Sequence, residues 1–220
     1  MSNAVIQLVV LAAIAVFLIL RLRSVLGTRD GFEDTTPRPE VPPLPNQRRG
    51  FEVIEGGPDR DITDHVPEGS PSAEALAAMK RIEPNFSVAD FLQGARGAYE
   101  MIVMAFETGD LDKVRPFLGA EVGDAFEAAV TGRNARGLTV QAEFLGLREL
   151  ALAEAEFDPA TQQAEITVRF GAELISVARD AAGNVVEGDP RSPRKQRDLW
   201  TFARQMGSAD PNWQLIATGG

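Results

Sequence analysis

The feature that most constrains this chain is its first twenty residues, an apolar run from Ala4 to Leu20 interrupted only by Gln7 and followed at once by Arg21, Arg23 and Arg29. At about 1.5 Å per helical residue the run reaches across a hydrocarbon core of roughly 30 Å if Leu22, Val25 and Leu26 help at the boundary. A transmembrane anchor with its basic flank is therefore expected over residues 1–29. The rival is a cleaved signal peptide, which needs basic residues before the run and a small-residue cleavage site after it. Here Met1-Ser2-Asn3 carries no basic side chain and Arg21-Leu22-Arg23 follows the run. The three arginines lie C-terminal to the span, so the positive-inside rule puts everything after Arg21 in the cytoplasm.

Residues 30–72 hold eight of the fourteen prolines and few long apolar side chains. Such a stretch buries too little surface to offset its ordering entropy, and it reads as a disordered, acidic spacer. As a flexible coil it would span on the order of 40 Å. Within it, Phe51, Val53 and Ile54 form a small apolar island, read as a chance cluster or a short docking motif. The net charge of −10 disfavours nucleic acid as a partner. The absence of cysteine excludes disulfides and thiolate chemistry, and the only histidine, His65, sits in the spacer. No metal, cofactor or catalytic residue is assigned.

Residues 73–220 are left for one domain. Ala75, Leu76, Met79 and Ile82 fall at helical spacing over Ser72–Ile82, with Pro84 as the stop. Ser87 and Asp90 open the strongest helix, which places Phe91, Ala95, Ala98, Ile102 and Phe106 on one face and ends at Gly109-Asp110. A short helix is expected over Leu111–Leu118, and another from Glu121 to near Gly132. After Gly137 the pattern changes to strands over Thr139–Phe157, Ala164–Ser176, Asp198–Met206 and Trp213–Thr218, with a charged connection over Arg191–Arg197. Helices followed by antiparallel strands predict an α+β domain with helices packed on a curved antiparallel sheet.

No phosphate loop, nucleophile elbow, zinc motif or calcium loop is present. The acidic pairs Glu154/Glu156, Asp158/Glu165 and the turn residues Asp180/Asn184 read as solvated hairpin ends. Met101–Phe106 is apolar all round, which predicts burial on two sides or a partner surface. Trp200 and Phe202 share one strand face. They fit either a filled core or the lining of a pocket.

Several local patterns, in order and spacing, resemble the Tim44-like family in its bacterial membrane-anchored branch. They are Arg21-Leu22-Arg23-Ser24-Val25-Leu26-Gly27, Phe91-Leu92-Gln93-Gly94-Ala95-Arg96-Gly97-Ala98-Tyr99-Glu100, Phe106-Glu107-Thr108-Gly109-Asp110-Leu111, Ile166-Thr167-Val168-Arg169-Phe170, Asp198-Leu199-Trp200-Thr201-Phe202, and Asp210-Pro211-Asn212-Trp213-Gln214-Leu215. The resemblance implies a cone-shaped, NTF2-like α+β domain with a hydrophobic pocket and no enzymatic activity. Its mitochondrial members are peripheral inner-membrane subunits of the presequence translocase that tether an Hsp70 motor. Pocket or partner contacts are then implied at Phe91, Tyr99, Met101, Ile102, Met104 and Phe106 on the helix, with Phe170, Trp200 and Phe202 on the sheet. Lipid contacts are implied at Ala75, Leu76, Met79, Lys80 and Ile82.

The expected function is a single-pass inner-membrane adaptor whose cytoplasmic domain binds a protein or lipid partner near the bilayer, with a link to protein transport. An acyl-lipid carrier and a pocket enzyme using a buried carboxylate are the alternatives.

Overall fold

In the computed structural model, which describes residues 57–219, four helices precede one antiparallel sheet. The apolar run, its basic flank and the spacer as far as residue 56 lie outside the described residues. Among the described residues, no helix is long and apolar enough to cross a membrane.

Helix α1 is Arg60–Thr63, α2 is Pro71–Ile82, α3 is Val88–Thr108 and α4 is Ala120–Ala135. Helix α3 begins where the sequence predicts. Ser87 Oγ accepts from the Asp90 N–H at 3.2 Å, and Gly109 ends the helix in the left-handed region at φ 83°. The expected helix over Leu111–Leu118 shrinks to a 3-10 turn, Arg115–Phe117. A tertiary contact is the reason: Leu118 is drawn into extended backbone beside Leu215, and the Gly119 N–H donates to the Leu215 carbonyl at 2.8 Å.

The sheet comprises β1 (Thr139–Asp158), β2 (Gln163–Arg179), β3 (Val185–Glu187), β4 (Arg194–Gln205) and β5 (Gln214–Gly219), in the order β1-β2-β4-β5 with β3 beside β2. Arg194–Arg197, expected as part of a connection, is the start of β4, because its backbone pairs with Leu174–Gly171 while its side chains stay largely in solvent. Three register shifts interrupt the β1–β2 pairing between Phe144 and Gly146, Leu147 and Glu149, and Leu152 and Glu154. Bulges bend the bulged strand and increase local twist, which gives the sheet its curvature.

The core lies between α3 and the concave face of this sheet. Tyr99 has no exposed surface; it stacks on Phe170 with ring centroids 4.3 Å apart and meets Trp200 at a tilt, at 4.6 Å. Its hydroxyl donates to Asp198 Oδ2 at 2.5 Å, and Gln196 Nε2 donates to the same oxygen at 2.7 Å. Burial first, and then the bond to Asp198, push the phenol pKa above its ordinary value, so the hydroxyl keeps its proton at neutral pH. Next along the helix, Glu107 accepts from Ser176 Oγ at 2.7 Å and from Arg194 Nη2 at 3.1 Å.

The spacer expected to continue to Ser72 is folded from Asp59 onward. Ile62 and Val66 insert into the core, and Asp61 reaches α3 from another part of the chain. Its carboxylate accepts from the Val88 N–H at 2.7 Å, the Ala89 N–H at 3.0 Å, Ser87 Oγ at 3.2 Å and Lys80 Nζ at 2.7 Å. Two N–H groups left open by the first turn of α3 are thereby satisfied by a residue 27 and 28 positions earlier. Composition missed this because apolar Ile62 and Val66 are sparse, and burying them needs the rest of the domain.

Two predictions follow from these bonds. Burial alone would raise the Asp61 pKa, but the bonds from Lys80, Ala89 and Val88 outweigh it and hold the group at about 2 against an ordinary 3.8. A depressed carboxyl pKa stabilises the fold above the ordinary value, and the contribution disappears as pH falls through about 2. Discounted for its partial exposure, it is on the order of 1 kcal/mol. Asp61→Ala is expected to lower stability by about 1–2 kcal/mol at pH 7, with the gap to wild type closing near pH 2, as read by denaturant unfolding at both pH values. Tyr99→Phe, which keeps the stacking and removes the bond to Asp198, is expected to cost about 1–2 kcal/mol in the same assay.

Candidate functional site

An apolar groove lies beside the first half of α3. Phe86 and Phe91 flank the N-cap Ser87 as a hydrophobic staple, one residue before the cap and four after it. Both pack on Trp213, at 6.0 Å and 4.8 Å between ring centroids, and Phe91 also meets Phe202 edge-on at 6.0 Å. Gly94, Ala98 and Phe117 complete an opening of about 530 Å³. A Cβ built on Gly94 would find nothing within 4 Å. Glycine inside a helix costs about 1 kcal/mol relative to alanine, so at Gly94 the helix carries a destabilising residue in a place where the space stays open.

The rim is polar and rigid. Glu83, which follows α2, accepts from both terminal guanidinium nitrogens of Arg204, at 2.6 and 3.0 Å, and from the Gly207 N–H at 2.7 Å. Burial would raise the Glu83 pKa, but the bonds from Arg204 and Gly207 prevail and lower it. The pair is saturated by its own partners, and the apolar walls offer surface for aliphatic or aromatic groups. This arrangement suits binding.

The expected pocket residues divide between core and groove. Phe91 and Phe202 line the groove. Tyr99, Ile102, Phe170 and Trp200 are buried in the core, where the rings of Tyr99, Phe170 and Trp200 meet one another. Of the two readings of the apolar stretch Met101–Phe106, burial on two sides does not hold along its whole length: Met101 is 39% exposed, and Met104 and Phe106 are half-buried. Helix α3 faces the sheet on one side only, and of its other side Phe106 is covered by Phe126 of α4, with centroids 4.7 Å apart.

A smaller cavity of about 200 Å³ lies deeper along α3. Ile102, Trp200, Glu107 and Asp198 are among its lining residues, so carboxylates do face the interior. Each is occupied by donors of the chain itself: Glu107 by Ser176 and Arg194, Asp198 by Tyr99 and Gln196.

The expected lipid contacts are also redistributed. Leu76 and Met79 have no exposed surface and belong to the core, so they touch no bilayer while α2 is packed. Lys80 is held by Asp59 and Asp61, each at 2.7 Å. Only Ala75 and Ile82 of the five face outward, beside acidic side chains. Asp158 and Asp180 cap their own turns: Asp158 accepts from the Ala160 N–H and Thr161 Oγ1, both at 2.8 Å, and Asp180 accepts from the Ala182 and Asn184 N–H groups, both at 2.9 Å.

Sequence reasoning missed Phe86 as a site residue, although its place one residue before the N-cap Ser87 and five before Phe91 is a staple signal, and Trp213 is marked only by its spacing of two from Leu215 at the start of β5. Nothing local marks Glu83 or Asp61. Their partners arrive from residues nineteen or more positions away.

The Tim44-like domain model matches residues 72–220. The mitochondrial import inner membrane translocase subunit TIM44 of Homo sapiens is 24% identical over 147 residues, covering 66% of this chain and 32% of that protein, and the Rattus norvegicus protein of the same name gives the same figures. The chain thus spans about a third of the length of the curated relatives it matches. Among solved structures, the intermembrane space region of the chloroplast protein ARC6 superimposes with a TM-score of 0.40 at 12% identity, over 58% of this chain and 93% of that one. With its domain over residues 72–220, the chain belongs to the Tim44-like domain family.

Proposed function

We propose that this chain is a membrane-anchored, non-enzymatic adaptor that holds an apolar segment of a protein partner in the α3 groove, beside the inner membrane and in the service of protein transport. The observation that carries this reading is the open, aromatic-walled space over Gly94. Aromatic anchors around a desolvated opening are the usual source of affinity at protein interfaces. Relatives named as translocase subunits support the link to transport. The run Ala4–Leu20 serves as the single-pass anchor, with the folded domain on the cytoplasmic side.

The groove is tested by filling it. Gly94→Leu adds a side chain where the backbone meets no neighbour and replaces a poor helix former, so it is expected to raise stability by about 0.5–1 kcal/mol. A photoreactive residue at Ala98 should form a discrete protein adduct in cells, and Gly94→Leu should abolish it. The same adduct at the same yield from the folded variant would remove the groove from the reading. For topology, protease added to spheroplasts is expected to leave the folded domain intact, whereas its digestion there would reverse the assigned orientation.

A further inference from the structure

The small cavity along the second half of α3 is built from several elements, and its walls are largely aromatic. Phe106 of α3 and Phe126 of α4 meet there with ring centroids 4.7 Å apart, and Ile102 of α3 and Trp200 of β4 line it as well. Ile102 and Trp200 are buried, whereas Arg194 and Thr218, on the same lining, are exposed, so the space opens outward past them. It shares no lining residue with the α3 groove around Gly94.

The charges around this cavity do not cancel. Glu107 and Arg194, 3.1 Å apart, form a neutral couple. Asp198 has only neutral donors, the Tyr99 hydroxyl and the Gln196 amide, and both bonds fall on Oδ2. Among the described residues, Oδ1 accepts no hydrogen bond and Asp198 forms no ion pair. One negative charge is thus left uncompensated in a space walled by rings. The face of an aromatic ring is itself electronegative and attracts cations, and that of Trp does so best. Phe106 is already used in this way within the fold, with the Arg133 guanidinium carbon 5.7 Å from its centroid.

We propose that this cavity binds the trimethylammonium group of a small organic cation, held by the rings of Phe106, Phe126 and Trp200 and balanced by the Asp198 carboxylate. Hydrogen bonding selects methylated nitrogen. A primary ammonium brings three N–H donors, and one free carboxylate oxygen among apolar walls leaves some of them without partners, at a cost. A hard metal ion takes about six oxygen ligands, and the described residues hold no acidic cluster that would supply them. A quaternary nitrogen donates no hydrogen bond, so it meets the rings and the single charge without that penalty. The volume, about 200 Å³, holds a group of that size.

The test is calorimetric titration of the full-length protein, in micelles of an uncharged, choline-free detergent. Tetramethylammonium chloride and choline chloride are compared with ammonium chloride at matched ionic strength. Both methylated cations are expected to bind at least about tenfold more tightly than ammonium and to raise the melting temperature. Asp198→Asn keeps a side-chain carbonyl for Tyr99 and Gln196 but removes the charge, and Phe126→Leu keeps an apolar wall but removes a ring. Each is expected to lose about tenfold in choline affinity while its circular dichroism stays that of the folded protein. Phe126 is only half-buried, so its variant keeps the test available if Asp198→Asn fails to fold. Gly94→Leu should bind choline as wild type does. Glycerophosphocholine separates the two sources of the group: affinity equal to that for choline assigns the site to a lipid headgroup, and refusal assigns it to a free solute. Absence of binding by both methylated cations, equal affinity for ammonium, or undiminished choline affinity in the folded variants would each overturn the proposal.

Discussion

The ring of Tyr99, closed off from solvent between Phe170 and Trp200, is the contact on which the rest of this domain depends. It joins the middle of the longest helix to the middle of the sheet. A stacked aromatic contributes through apolar area and ring geometry together, and the hydroxyl then fixes the helix along its axis by reaching Asp198. With that point held, the first half of α3 is set against Phe202 and Trp213 and the second half against Phe126. Core and groove are thus two stretches of one helix surface, separated by what the sheet can reach.

The curvature of β1 determines where the sheet reaches. Three bulges in its pairing with β2 bend the strand, and a curved sheet covers a straight helix unevenly. Where it closes on α3, side chains interdigitate and leave only a small cavity lined by satisfied polar groups. Near Gly94 the walls include Phe117 of the 3-10 turn and the loop residues Pro211 and Trp213, and the space remains open. An apolar surface left uncovered in this way favours whatever segment can cover it.

Charge is partitioned along similar lines. Where carboxylates hold the fold together they have donors: Asp61 at the start of α3, Glu83 on Arg204, Glu107 on Arg194. Glu74 on the outer wall of α2 and Glu156 and Glu165 at the hairpin end form no ion pair among the described residues, and the two hairpin glutamates oppose each other.

The sequence alone determined the order of the longer elements, the boundaries of α3 and the α+β class, because capping residues, periods of 3.6 and 2, and turn residues are local signals; the short α1 and β3 were not among them. Ser87 and Gly109 bound α3 in the structure as they do in the pattern. It also carried the family resemblance, since that rests on short stretches in order. Only the tertiary structure decided which apolar residues are core and which are site. Leu76 and Ile82 have the same character and lie on one helix, yet one is fully buried and the other lines a groove. It likewise decided that Asp61, in a proline-rich stretch that reads as spacer, caps α3, and that a predicted helix at Leu118 yields to pairing with β5. The physical reason is the same in each case: burial and long-range hydrogen bonds depend on what the fold brings alongside a residue, and in this chain those partners come from far away in the sequence.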